Sequence, residues 1–82
     1  MTSHDFVLRF ALPDPGANVA HFLDALFEAG CDDAVIGIGL LGSVALDFSR
    51  EAASADVAVR SAIEAVMTAI PDAKLTDVQL VP

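Results

Sequence analysis

Two stretches carry apolar residues at helical spacing, and each is flanked on both sides by stretches where apolar residues alternate with small or polar ones. A chain with this order of periods has few ways to bury its apolar side chains. In the first alternating stretch, Asp5 to Leu12, the residues Phe6, Leu8, Phe10 and Leu12 fall on one side and Val7, Arg9 and Ala11 on the other, as a half-buried strand requires. Pro13 closes it. Asp14-Pro15-Gly16 supplies turn chemistry, and either Asp14 or Asn18 caps the helix that follows. Val19, Phe22, Leu23, Leu26 and Phe27 then form an apolar stripe, with His21, Asp24 and Glu28 mainly toward water and Gly30 as terminator.

The second strand is expected over Ala34 to Leu40, with Ala34, Ile36 and Ile38 inward and Val35, Gly37 and Gly39 on the other face. Leu41-Gly42-Ser43 turns the chain into a third strand, Val44 to Ser49. Ser54 is the expected N-cap of a second helix, with Asp56 in its first turn and Val59, Ile63, Val66, Met67 and Ile70 as its apolar stripe. After Pro71-Asp72 the tail Lys74 to Val81 alternates again, with Thr76, Val78 and Leu80 opposed to Leu75, Asp77 and Gln79. Right-handed crossovers turn this order into a ferredoxin-like βαββαβ sandwich. That is an α+β fold, a four-stranded antiparallel sheet with both helices on one face, formed by a single domain over residues 1–82. The expected core includes Leu8, Phe10, Phe22, Leu26, Ile38, Leu46, Phe48, Ile63 and Val66. The first and third strands are adjacent, so Arg9 and Asp47 are expected to meet on the open face.

Gly37-x-Gly39-x-x-Gly42 has the spacing of a dinucleotide-binding fingerprint. That fingerprint works only where a strand passes into a helix whose free N–H groups hold the pyrophosphate. Here strand alternation resumes at Val44, which predicts a hairpin. Catalytic constellations are also missing from the pattern. His4 falls in an expected frayed terminus, His21 on a solvated helix face, and Ser43, Ser49, Ser54 and Ser61 have no base at a recognisable spacing. A metal site is not expected, because His4, His21 and Cys31 lack paired spacing and Asp32-Asp33 reads as a turn. Cys31, the only cysteine, reads as a half-buried filler and fits a reducing compartment. Met1-Thr2-Ser3-His4-Asp5 lacks the basic start of a signal peptide, and no cleavable apolar region follows, so a cytoplasmic location is expected and a membrane anchor is not.

Twelve Asp and Glu residues stand against Arg9, Arg50, Arg60 and Lys74, a net charge of -8. Such a surface repels phosphate backbones, so direct contact with nucleic acid is not expected. RNA readout on the open sheet face would need aromatic rings there, and Phe6, Phe10 and Phe48 are all expected on the helix side. Either the charge serves solubility or it binds a basic partner. Asp24, Glu28, Asp32 and Asp33 are expected to cluster at the end of the first helix, with Glu51, Asp56 and Glu64 lining the region of the second. An alternative interface, including a homodimer, is the mildly apolar open sheet face around Val7, Arg9, Val35, Ala45 and Asp47.

The stretch "DPGANVAHFLDALFEAG" resembles the turn and first helix of ACT regulatory domains. That resemblance implies a small-ligand site between subunits beside Asp14 and Gly16. A longer likeness runs through "FLDALFEAGCDDAVIGIG", "GSVALDFSREAASA" and "AIEAVMTAIPDAKL". It is similar to the ACT-like accessory domain found ahead of helix-turn-helix modules in bacterial DNA-binding proteins, although "TDVQLVP" brings no basic helix pair after it. In size and charge the chain also resembles small acidic phage inhibitors of restriction or CRISPR machinery. The expected function is therefore a non-enzymatic, cofactor-free interaction domain that covers a basic, nucleic-acid-gripping surface of a partner protein. The alternative is a ligand sensor or dimerisation domain of a bacterial regulator.

Overall fold

The computed structural model describes residues 2–13, 22–37 and 42–81. Its elements are β1 (Thr2–Ala11), α1 (Leu23–Glu28), β2 (Ala34–Gly37), β3 (Ser43–Ala52), α2 (Ala55–Ala69) and β4 (Lys74–Leu80). The sheet order is β2-β3-β1-β4, every neighbouring pair antiparallel, which is the ferredoxin-like arrangement the alternating periods predict. Strand β2 is described as far as Gly37, with Ile38, Gly39, Leu40 and Leu41 outside the described residues, and Gly42 takes a φ of 78° and leads directly into β3. No helix begins behind it to hold a phosphate. Its carbonyl instead accepts the Leu12 N–H at 2.8 Å, tying the hairpin to the end of β1.

Phe6, Leu8, Phe10, Val44, Leu46 and Phe48 project from the two central strands into the core, joined by Leu26, Val66 and Ile70 from the helical side. Phe6 and Phe48 are directly opposite in the β1–β3 register, and their rings stack with centroids 5.3 Å apart. Of the remaining expected core residues, Phe22 and Ile63 are only half-buried, and Ile38 lies outside the described residues.

Five elements depart from expectation. Strand β1 starts at Thr2, so His4 belongs to the ladder opposite Arg50 and is not part of a frayed end. β3 runs on to Ala52, three residues past Ser49, because β1 extends equally far to pair with it. Helix α1 is six residues long, Phe22 at its N-cap position makes no side-chain cap bond, and Phe27 is exposed, so Leu26 alone is its buried anchor. The caps considered at Asp14 and Asn18, and Val19 and His21, lie outside the described residues.

In α2 Ser54 is the N-cap as expected, accepting the Val57 N–H at 3.3 Å, but the stripe is rotated by about a residue. Ala58, Ala62, Ala65 and Val66 are buried, whereas Val59, Ile63 and Met67 sit at its margin. Small side chains let the helix axis approach the sheet closely, and the larger residues flank that contact.

The fifth departure is a β-bulge. Arg9 pairs with Asp77 and Phe10 with Leu75, which leaves Thr76 as an extra residue in β4. Its hydroxyl donates to the Arg9 carbonyl at 3.1 Å and so occupies an acceptor within the interrupted ladder. The slip reverses the parity of the strand. Leu75 joins Val78 and Leu80 on the helix side, in place of the opposed arrangement that simple alternation predicts.

Candidate functional site

The acidic region at the end of α1 is built by the way that helix stops. Gly30 adopts a φ of 102°, the Cys31 N–H donates back to the Leu26 carbonyl at 2.9 Å, and the Gly30 N–H donates to Phe27 at 3.2 Å. This is a Schellman stop, in which glycine takes the left-handed position at no steric cost. A Cβ on Gly30 would meet nothing within 4 Å, so its requirement is conformational alone. The stop drives Cys31 into the core and presents Asp32 to solvent, on the same part of the molecule as exposed Asp24 and Glu28, which are one helical turn apart.

Asp33 is different. Its carboxylate receives both Nε and Nη2 of Arg50, at 2.7 and 2.9 Å, in a bidentate pair whose side chains are 14% and 30% exposed. The same guanidinium donates to the Gly30 carbonyl at 2.7 Å and to Ser61 Oγ at 3.1 Å, and its Cζ lies 5.0 Å from the centroid of the Phe48 ring. Ser61 in turn donates to the Ala58 carbonyl. Arg50 thus ties the α1–β2 turn, β3 and α2 together. The hydrogen bonds to Asp33 hold its pKa above the ordinary arginine value against the opposing effect of desolvation. Asp33 is therefore a structural ion-pair partner, and the free acidic cluster at this end consists of Asp24, Glu28 and Asp32.

Cys31 is fully buried, not half-buried, and burial pushes its thiol above the ordinary 9.0, with Arg50 pulling it down and Asp33 and Asp32 adding to the rise. A raised folded-state value favours the neutral thiol. Its contribution to stability is complete below pH 9 and is lost as pH climbs toward the folded-state value. Melting temperature is expected to decline more steeply above pH 9 in the wild type than in Cys31→Ala, and a thiol reagent should label Cys31 only at the rate of unfolding. Rapid labelling of the folded protein would refute this burial.

On α2, Asp56 pairs with Arg60 across one turn at 3.5 Å, and both side chains are about three-quarters exposed. Such a pair is worth little in stability, yet it offsets the Asp56 charge locally. Glu64 follows one turn beyond Arg60 and is exposed. Glu51 faces away from the helices. It stands on the open sheet face opposite Ser3, in the same parity as Asp47.

That open face is more acidic than alternation alone suggested. Val7, Asp47 and Val35 form one cross-strand row, and Arg9, Ala45 and Gly37 form the next. Arg9 does not reach Asp47. It binds Asp77 of β4 at 3.2 Å and Gln79 at 3.4 Å, because those residues lie beside it on the other neighbouring strand. Asp5, opposite Ser49 and accepting its hydroxyl at 2.6 Å, sits diagonally between Asp47 and Glu51. Diagonal neighbours of this kind are about 7 to 8 Å apart. Asp5 was the missed member of the face, and its parity with Val7 and Arg9 was the signal for it.

No protein family, curated protein or solved structure matches this chain. Among the described residues, no group of three or more His, Cys, Asp or Glu is placed to hold a metal ion, and no helix is long and apolar enough to cross a membrane. Asp14 and Gly16, the ligand positions implied by the ACT likeness, lie outside the described residues.

Proposed function

We propose that this protein is a non-enzymatic interaction domain whose carboxylates engage a basic surface of a partner protein, of the kind that otherwise grips nucleic acid. One observation carries the reading. Arg9, Arg50 and Arg60 each spend their charge on a carboxylate of the same chain, Asp77, Asp33 and Asp56. Asp5, Asp24, Glu28, Asp32, Asp47, Glu51, Glu64 and Asp72 have no ion-pair partner among the described residues, so the excess negative charge is available to an incoming cationic surface. Uncompensated charge opposes the compact state through self-repulsion. Carboxylates held on a rigid scaffold recover that cost by accepting charge-assisted hydrogen bonds from arginine and lysine, and they steer the encounter.

The test is affinity capture with the wild-type chain, then titration of the captured protein at several salt concentrations, with duplex DNA as competitor. Affinity is expected to fall with salt, mainly through a slower on-rate, since exposed charges act over about 8 Å at physiological ionic strength. Duplex DNA should displace the chain. Asp24→Asn/Glu28→Gln/Asp32→Asn removes the helix-end charge at nearly constant shape, and Asp47→Asn/Glu51→Gln does the same on the sheet. At least one set should weaken binding tenfold or more without moving the melting temperature. Affinity insensitive to salt and to both sets would overturn the proposal.

A further inference from the structure

Strand β4 forms one edge of the sheet, and all seven of its residues are exposed. On its helix side Val78 is 40% and Leu80 58% exposed, although their cross-strand partners Leu8 and Phe6 are completely buried. The cause is the position of α2, which packs over β3 and β1 and stops short of the edge strand. Between them runs a groove of about 290 Å³ lined by Ala55, Asp56, Val59, Val78 and Leu80. An open edge beside an uncovered apolar strip is a template for strand addition.

We propose that a second copy of this chain occupies that edge, with β4 pairing antiparallel to β4 about a two-fold axis at Gln79. The register follows from three observations. The Val81 N–H donates to the Asp5 carbonyl, so residue 81 and, by antiparallel alternation, residues 79 and 77 direct their backbone groups toward β1. Val78 and Leu80 therefore point their N–H and C=O groups outward, toward a partner. The bulge at Thr76 interrupts regular geometry, which leaves residues 77–81 as the straight part of the edge, with Gln79 at its centre.

Charge selects the same register. Pairing centred on Asp77 would set two carboxylates directly opposite, which is destabilising. Centring on Gln79 puts each Asp77 opposite Val81 of the other copy. The two Asp77 residues are then four positions apart, about 13 Å along the strands and beyond the Debye length of about 8 Å. Each is also paired to Arg9 of its own copy. In this arrangement Val78 of one copy lies beside Leu80 of the other, twice, on the helix side. These side chains close over the grooves beside Ala55 and Val59 from both copies, and the two sheets become continuous. A C2 interface of this kind is self-complementary by construction. The contact is small, so a weak, concentration-dependent dimer is expected, with a Kd in the micromolar range or above.

Sedimentation equilibrium over a wide range of concentrations tests the association, and cysteine cross-linking tests the register. Residues facing each other at the axis form a non-hydrogen-bonded pair with Cα atoms about 4.5 Å apart, within disulfide reach. Gln79→Cys should therefore give a disulfide-linked dimer on mild oxidation, and Asp77→Cys should not, with Cys31 too buried to interfere. Leu80→Lys should weaken the dimer at least tenfold while the melting temperature of the dilute, monomeric protein stays unchanged. Added salt should strengthen the association by screening repulsion between two acidic copies, opposite to its expected effect on a basic partner, so this inference and the proposed function fail separately. A chain that remains monomeric at millimolar concentration and high salt would overturn the proposal. So would Asp77→Cys cross-linking as readily as Gln79→Cys, or a dimer indifferent to Leu80→Lys.

Discussion

Phe48→Ala is expected to lower stability by about 3 to 5 kcal/mol, the range for removing a buried aromatic ring and leaving a cavity that closes only partly. Phe48 is completely buried on central strand β3, stacked on Phe6 of β1, with the Arg50 guanidinium over its ring. The substitution therefore empties a place where the sheet, its aromatic pair and the ionic clamp adjoin. For a domain of this length each kcal/mol moves the melting temperature by roughly 4 to 8 °C, so a fall of about 12 to 40 °C should appear in a thermal melt. The total stability of such a domain is only about 4 to 12 kcal/mol. The variant should consequently be close to unfolding at 37 °C. A melting curve within a few degrees of wild type would contradict the packing described for β1 and β3.

Arg50→Met is expected to cost about 2 to 3 kcal/mol. Hydrogen bonds to charged groups contribute about 1.5 to 3 kcal/mol, and breaking a fully buried pair costs about 3 to 5, discounted here because Asp33 keeps 30% of its side-chain surface in water. Most of the loss comes from stranding a carboxylate and the Gly30 carbonyl that the guanidinium now satisfies. Asp33→Asn alone should cost less, since Arg50 retains Gly30 and Ser61. Combining the two should cost less than their sum, with a coupling of about 1 to 3 kcal/mol measured by urea denaturation. Strict additivity would show that the pair contributes nothing as a pair.

How far the sequence reached can be seen residue by residue. Phe6, Leu8 and Phe10 in one strand and Val44, Leu46 and Phe48 in another alternate without interruption, and both sets are buried as the period requires. Their order with the two helical stretches was enough to define the sheet. The Thr76 bulge was not legible, because an inserted residue changes parity without changing composition, and Leu75 and Val78 look the same whichever face they occupy. The buried alanines of α2 were missed for a related reason. A periodicity reading weights large apolar residues, whereas close packing against a sheet selects small ones. Arg50 was missed because the third strand was expected to end at Ser49, one residue short of it, although it shares parity with inward Phe48. Once Arg50 turns in, Asp33 follows, and the acidic group read from Asp24, Glu28, Asp32 and Asp33 loses a member. On the open sheet face, Asp5 was overlooked although it heads the expected strand and shares the parity of Val7 and Arg9.

The sheet order also has a consequence for how the chain is made. Within this domain β1 is made before the other elements, yet it lies between β3 and β4, and β4 is made after them. From the appearance of Ala11 to that of Lys74, one flank of β1 has no partner in its own chain, an interval of several seconds at the usual rate of about 5 to 20 residues per second. During that time Phe6, Leu8 and Phe10 stand on a strand with an open side, the state most prone to pairing with a neighbouring nascent chain. Asp5 and Arg9, set among these apolar residues on the opposite face, interrupt any flat intermolecular stack with charge. Two of the residues that leave the finished sheet polar on its outer side thus guard the unfinished one while β4 is still in the ribosome.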